Sequence, residues 1–342
     1  MKAIRIEQQG HPVTPNIRFV DDHPDPVVNP GELLVKTEAS ALNHLDLWVG
    51  RGLPGAESFP RISGSDGCGR VVEVGDGVPE DWMGRRVMIN AAVPADQVPF
   101  PDQDPAFPVL HMIGETLPGC HAEFFKVPAT NAICIGDRDP IQAAAYGLTH
   151  LTAWRMLITR SALQSGQWVL IPGIGGGLAL AALNIAQHLG CRTIVTSRHQ
   201  WKLDRACELG AHHAILDEGD DWSRHVRQIT GKRGVDVCVE SVGQAIHGSV
   251  LQSLCRGGIM VTCGTTTGPT ASTDLMRIFW NQLAIIGSTM GDMDEFRQST
   301  ALFKSGALVP VIDRVIDAPE GAAAWERLEC GDQFGKIVLN WA

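Results

Sequence analysis

From Gln167 onward, short runs of aliphatic and β-branched residues alternate with longer stretches whose apolar positions follow the 3.6-residue helical period. The runs WVLIP (168–172), TIVTS (193–197), AIL (214–216), VDVCV (235–239), GIMVTC (258–263) and LAIIGS (283–288) are apolar at consecutive positions, which predicts strands buried on both faces. Between them lie LALAALNIAQHLG, HQWKLDRACELGA, DDWSRHVRQITG and GQAIHGSVLQSLCRGG, each helical in period with a glycine at or just past its end. Strand and helix in alternation predict a parallel, doubly wound sheet. Up to about Asp137 the pattern differs. Short runs such as ELLVKTEAS, GRVVEVG and RRVMINAAV, broken by Gly, Pro and Asp, read as antiparallel strands and turns of a β-rich domain. A helical segment from Pro140 to Thr159 joins the two regions. The tail from Asp294 ends in GKIVLNW, a strand expected to return to the first domain because the parallel sheet is already complete.

At 342 residues and 44% hydrophobic content the chain is long enough for two cores. A net charge of −10, with no block of Lys or Arg, argues against nucleic acid or an anionic membrane as partner. MKAIRIEQQGHPV has no apolar signal core and no run is long enough to span a bilayer, so a cytoplasmic location is expected. The nine cysteines include no CxxC pair and read as reduced, mostly buried thiols.

The strongest chemical signal is VLIPGIGGGLALAALNIAQHLG. A strand ends at Ile171, a glycine turn follows, and a helix begins at once, so that main-chain N–H groups and a helix N-terminus face whatever anion lies there. The strict GxGxxG form fails because Leu178 takes its last position. The run fits better as Gly173-x-x-Gly176-Gly177-x-Ala179, and Gly173, Gly175, Gly176, Gly177 and Leu178 are the expected pyrophosphate contacts. At the end of the next strand, where NAD-binding sheets place a carboxylate on the ribose 2′-hydroxyl, the chain has VTSRHQWK. Ser197, Arg198 and Lys202 offer a hydroxyl, a planar fork and an ammonium to a 2′-phosphate, so NADP(H) is preferred over NAD(H).

In order and spacing, GELLVKTEASALNHLDLWVG, FPRISGSDGCGRVVEVGDGV, GCHAEFFKVPATNAICI, TAWRMLI, the glycine run, KLDRACELGA and FGKIVLNW resemble the medium-chain dehydrogenase/reductase superfamily over essentially the whole chain. The resemblance implies a GroES-like catalytic domain (1–145 and 290–342), a Rossmann domain (146–289), hydride transfer in the cleft between them, and a homodimer or homotetramer. The zinc alcohol dehydrogenases of that superfamily carry metal ligands at positions matched here by Asn43, Ser65 and approximately Leu148, none a good zinc ligand. Their structural zinc lobe would fall near 91–118, where there is no cysteine. No zinc is therefore expected, and the chain is most similar to the zinc-independent quinone oxidoreductase and enone reductase branch.

Without a metal, the oxygen that gains negative charge during hydride transfer needs a hydrogen-bond donor: the Asn43 amide, the Ser65 hydroxyl or a water. Asp46, beside His44, is expected to fix the turn and touch the site. Tyr146, the only tyrosine, stands one helical turn before His150 and is a candidate proton donor, with ring packing as the competing role. The resemblance places main-chain nicotinamide contacts at Cys263, Gly264, Thr265, Ser288, Thr289 and Met290. The substrate is expected to be a small molecule, with Trp48, Leu53, Phe59 and the proline-rich loop 93–112 as lining. Two alternatives stay open: an alcohol dehydrogenase holding zinc through atypical ligands, and a non-catalytic NADPH-binding protein.

Overall fold

A computed structural model describes residues 1–53, 56, 58–95 and 109–342. They form two compact units, Met1–Leu148 with Asp292–Lys304 and Ile312–Ala342, and Thr149–Gly291 with Ser305–Val311. The units change at 148/149 and 291/292, a few residues later than the expected boundaries. The first change falls inside one continuous helix, where periodicity gives no signal. The stretch 305–311 also belongs to the second unit, tied there by the Val309 N–H, which donates to Asn184 Oδ1 at 3.2 Å.

The first unit opens with an antiparallel ribbon of β1 (Ala3–Ile6) and β2 (Ile17–Val20). Then come β3 (Glu32–Ala41), α1 (His44–Arg51), β4 (Asp66–Val74), β5 (Arg86–Ile89), β6 (Ala92–Pro94), β7 (Leu110–Met112), β8 (Phe124–Pro128), β9 (Ala132–Cys134) and the start of α2 (Pro140–Trp154). The alternation in β3 is that of a half-buried strand, with Leu33, Val35 and Thr37 buried while Leu34 and Lys36 are not. The run RRVMINAAV divides into β5 and β6 at Asn90, where Asn131 Nδ2 donates to the carbonyls of Asn90 and Ala92 and bends the chain.

Beyond α2 the chain makes a π-helical segment, Arg155–Arg160, and enters the second unit's sheet. Its elements are β10 (Trp168–Ile171), α3 (Gly177–His188), β11 (Arg192–Ser197), α4 (Gln200–Glu208), β12 (His213–Leu216), α5 (Ser223–Ile229), β13 (Val235–Glu240), α6 (His247–Ser253), β14 (Leu254–Thr262), α7 (Leu275–Asn281) and β15 (Ala284–Gly287). All six strands are parallel in the order β12-β11-β10-β13-β14-β15, the doubly wound arrangement that the periodicity predicts. Burial on both faces holds for β10 and β13 but not for the sheet edges β12 and β15, which have one neighbour each and part-exposed side chains. Leu170, Ile194, Trp222, Val226, Cys238 and Met260 form this unit's core.

The tail adds α8 (Met293–Ser305), β16 (Ile312–Asp317), α9 (Gly321–Cys330) and β17 (Lys336–Asn340). β17 lies between β16 and β3 in a sheet ordered β16-β17-β3-β4-β5-β9, with β8 also on β3. GKIVLNW thus joins the first unit, packing Ile337 and Leu339 against Ile4, Ile6, Leu47 and Trp325. Among the described residues no helix is long and apolar enough to cross a membrane.

Candidate active site and cofactor loop

Three strand ends meet in the first unit. Register places Ala41, the last residue of β3, opposite Asp66 at the start of β4 and opposite Val338 in β17, while the Leu42 N–H reaches the Ile337 carbonyl at 3.0 Å. Side chains that leave these ends therefore converge. Asn43 Nδ2 donates to Asp66 Oδ2 at 2.9 Å, Lys336 Nζ donates to the same oxygen at 2.8 Å, and Lys336 Nζ also donates to Asn43 Oδ1 at 2.5 Å. The other carboxylate oxygen, Asp66 Oδ1, accepts the Leu148 N–H at 2.6 Å. Gly147 makes this approach possible, because a Cβ there would stand 2.3 Å from Asp66 Oδ1. Asn43, Asp66 and Lys336 are all buried, so the carboxylate and the ammonium offset one another's desolvation.

Asp46 does fix the turn. Its Oδ2 accepts the Asn43 N–H at 2.7 Å and closes the first turn of α1. Its Oδ1 lies 3.4 Å from His121 Nε2, and the imidazole's Nδ1 is 2.9 Å from Ser40 Oγ, which accepts the Trp341 indole N–H. Burial pushes the Asp46 carboxyl upward, but the His121 ring and the surrounding donors outweigh it and hold it below 3.8. Asp46 thus acts on the site through the Asn43 backbone. His44 is exposed while Asp46 is buried, so the two do not face one ligand.

Two expected donors are corrected by where their hydrogens go. The Ser65 hydroxyl donates to the Ile113 carbonyl at 2.7 Å, and the Tyr146 hydroxyl donates to the Ser299 carbonyl at 2.7 Å. Both residues are fully buried, and the Tyr146 ring packs on Phe303 at 4.8 Å between centroids. Burial also pushes the Tyr146 phenol well above its usual range. Tyr146 thus takes the packing role. Leu53 and Phe59 pack against the first unit's core and Trp48 lies under Arg51, while 96–108 of the expected lining loop lies outside the described residues.

Zinc requires three or four thiolate, imidazole or carboxylate ligands around one point. The matched positions supply an amide already bonded to Asp66, a hydroxyl turned to a carbonyl and a main-chain N–H, with an ammonium against the one carboxylate. Among the described residues no three His, Cys, Asp or Glu side chains converge. The donor set does not fit zinc.

In the second unit β10 ends at Ile171 and the chain turns through Gly173 (φ +68°) and Gly175 (φ +116°), left-handed positions that favour glycine. Gly176 caps α3, which begins at Gly177, and the first-turn N–H groups of Gly177 and Leu178 have no preceding carbonyl to satisfy them. A Cβ on Gly176 would meet nothing nearer than 3.9 Å, so the loop surface is open there. Lys202 lies along this loop, with its Cδ 2.7 Å from where a Gly175 Cβ would stand. At the end of β11 Ser197 Oγ accepts the His199 N–H at 3.1 Å, and Arg198 is exposed beside it. The loop, its open N–H groups and these three side chains fit a phosphorylated dinucleotide. Of the expected main-chain contacts, the N–H groups of Cys263 and Ser288 are bonded to Glu240 and Thr262 carbonyls at 3.1 and 2.9 Å. Those of Gly264, Thr265, Thr289 and Met290 have no partner among the described residues, and Met290 holds a left-handed φ of +49°.

Lys336, Asp66 and Glu240 are absent from the expected site residues. Glu240, buried at the end of β13, accepts N–H groups of Val242 and Gly243 and the Thr262 hydroxyl, bracing the turns beside Gly173. Its signal was the carboxylate that closes the largely apolar run VDVCVE, and for Lys336 it was a cation opening the apolar strand KIVLN.

Profiles of two families match the chain: the alcohol dehydrogenase GroES-like domain at residues 29–137 and the zinc-binding dehydrogenase domain at 177–305. The zinc-type alcohol dehydrogenase-like protein YogA of Leptosphaeria maculans is 30% identical over 340 residues, covering 92% of each chain. A crystal structure of an NAD-dependent alcohol dehydrogenase superposes with a TM-score of 0.91 at 31% identity over 100% of both chains. A crotonyl-CoA carboxylase/reductase in complex with NADP, AntE V350A, gives a TM-score of 0.90 at 25% identity, covering 99% of this chain and 94% of its own. The chain belongs to the zinc-type alcohol dehydrogenase-like family of medium-chain dehydrogenases/reductases, and it is an oxidoreductase.

Proposed function

We propose that the chain is an NADPH-dependent reductase that delivers hydride to a quinone, enone or other carbonyl compound without a catalytic zinc. The observation that carries this reading is the Asn43–Asp66–Lys336 ring, which ties up Asn43 at one matched metal position and sets an ammonium against the neighbouring carboxylate. A dihydronicotinamide, when bound, supplies the hydride. Gly173, Gly175, Gly176, Gly177 and Leu178 hold its pyrophosphate, and Ser197, Arg198 and Lys202 its 2′-phosphate. Gly264, Thr265, Thr289 and Met290 offer main-chain N–H groups to the carboxamide.

The substrate oxygen gains negative charge as hydride arrives, and a preorganised donor is worth most there. With the Ser65 and Tyr146 hydrogens committed elsewhere, that donor is the Asn43 amide, which has one hydrogen on Asp66 and a second without a partner among the described residues. All nine cysteines are free, which supports a reducing compartment, the cytosol. The test is NADPH oxidation with an ortho-quinone and with an α,β-unsaturated ketone, on protein dialysed against chelator, beside NADH and an added-zinc control. Turnover that survives metal removal and favours NADPH is the expected result. Activity that appears only with zinc would overturn the metal-free reading, and tight NADPH binding with no turnover on any acceptor would favour a non-catalytic protein.

A further inference from the structure

An asparagine amide has an acceptor end and a donor end, and a half-turn exchanges them. Only its neighbours decide which end faces where. Lys336 can only donate and the Asp66 carboxylate can only accept, and they grip opposite ends of the Asn43 amide, at 2.5 Å on Oδ1 and 2.9 Å on Nδ2. Lys336 also bonds Asp66 directly at 2.8 Å, so the three side chains close a ring in which neither partner can move without the other. Flipping the amide would set NH₂ against an ammonium and a carbonyl against a carboxylate, two repulsive contacts in a buried place. The Leu148 N–H holds Asp66 from its far side, where Gly147 leaves room for the carboxylate, so the ring is braced on α2 as well.

We propose that Lys336 is a positioning residue: with Asp66 it locks the Asn43 amide in one orientation, so that the second Nδ2 hydrogen is presented as a donor, and it supplies the cluster's positive charge in place of a metal. This rests on Asn43 being the donor in the metal-free reductase, and the test separates the two claims. The side-chain ¹⁵N–¹H signals of Asn43, assigned by their loss in Asn43→Ala, are recorded for wild type, K336M and K336R, together with kcat for quinone reduction and the NADPH Kd.

A locked amide protects from solvent exchange the Nδ2 proton that Asp66 accepts, in wild type and K336R, and that protection is lost in K336M. Asn43→Ala lowers kcat on the order of 100-fold, K336M lowers it at least ~10-fold, K336R restores most of it, and NADPH Kd stays unchanged throughout. The double variant is no slower than Asn43→Ala alone, because Lys336 acts through Asn43. Wild-type kcat in K336M beside a slow Asn43→Ala overturns the role of Lys336 only. Wild-type kcat in Asn43→Ala, or an inert wild type, overturns the donor assignment and the inference with it. Should K336M fail to fold, Asn43 Nδ2 protons that both exchange with solvent at an unprotected rate in wild type are sufficient to overturn the lock.

Discussion

Arg198 is where a single side chain separates two cofactors. It is exposed at the end of β11 with no carboxylate beside it in SRHQWK, and Ser197 next to it is buried with its Oγ already accepting from His199 N–H. That bond leaves the Ser197 hydroxyl hydrogen for an outside acceptor, and a 2′-phosphate would take both groups. NADH offers a neutral hydroxyl there and gains little from the guanidinium. Arg198→Ala should therefore weaken NADPH binding by about tenfold, or ~1.4 kcal/mol, and leave NADH affinity within about twofold. Cofactor fluorescence titrations check both arms. Equal weakening of the two would mean that Arg198 supports the loop and does not read the phosphate. The related crystal structure of an NAD-dependent enzyme makes this comparison informative, since the fold alone does not fix the choice.

Ion pairs between elements hold the ends of the first unit's sheet. Asp313 in β16 accepts both Arg327 Nε and, at 2.9 Å, Nη2 from α9, and it takes the Phe334 N–H at 3.0 Å from the turn before β17. Burial pushes this carboxyl up, but the Arg327 fork and the Phe334 N–H prevail and hold it below 3.8. A carboxyl whose folded value is depressed stabilises above the unfolded value, and that contribution is lost as pH falls through the folded one. Asp313→Asn should cost about 2 kcal/mol in urea unfolding near neutral pH. The gap from wild type should close below pH 3.8, and a gap unchanged in acid would contradict the assignment.

At this same scale the sequence is informative to different depths. The parallel sheet could be read because each strand and helix carries its own period within a few residues. Which strands end at the edges could not, since LAIIGS is as apolar as the central strands. The glycine loop is local and its contacts could be anticipated. The ring was out of reach because Lys336 lies 293 residues from Asn43 and 270 from Asp66, joined only by the register of β17, β3 and β4. Likewise Ser65 and Tyr146 looked reactive because nothing in their surroundings names the distant carbonyls that take their hydrogens.

For the molecule as a whole the remaining question is what covers β15. Among the described residues it pairs with β14 as its one strand neighbour, its Gly287 carbonyl accepts Arg160 Nε at 3.0 Å, and AIIG has none of the charges or prolines that guard an open edge. Just before it, the short helix α7 exposes Leu275 (72%), Met276 (67%), Phe279 (67%) and Trp280 (70%), four large apolar side chains out of seven residues. Single exposed apolar residues are ordinary, but a cluster of this size marks an interaction surface. An open strand edge beside an apolar helix is self-complementary under a two-fold axis, since each copy can pair its edge with the other's and cover the other's helix. A second copy of this chain is accordingly the proposed occupant, giving a homodimer. Light scattering on eluting protein at micromolar concentration should return twice the chain mass, and Phe279→Glu with Trp280→Glu should return a monomer that still binds NADPH, because neither side chain belongs to the glycine loop. A wild type that stays monomeric would refute the dimer, and a double variant that remains dimeric would move the interface away from α7.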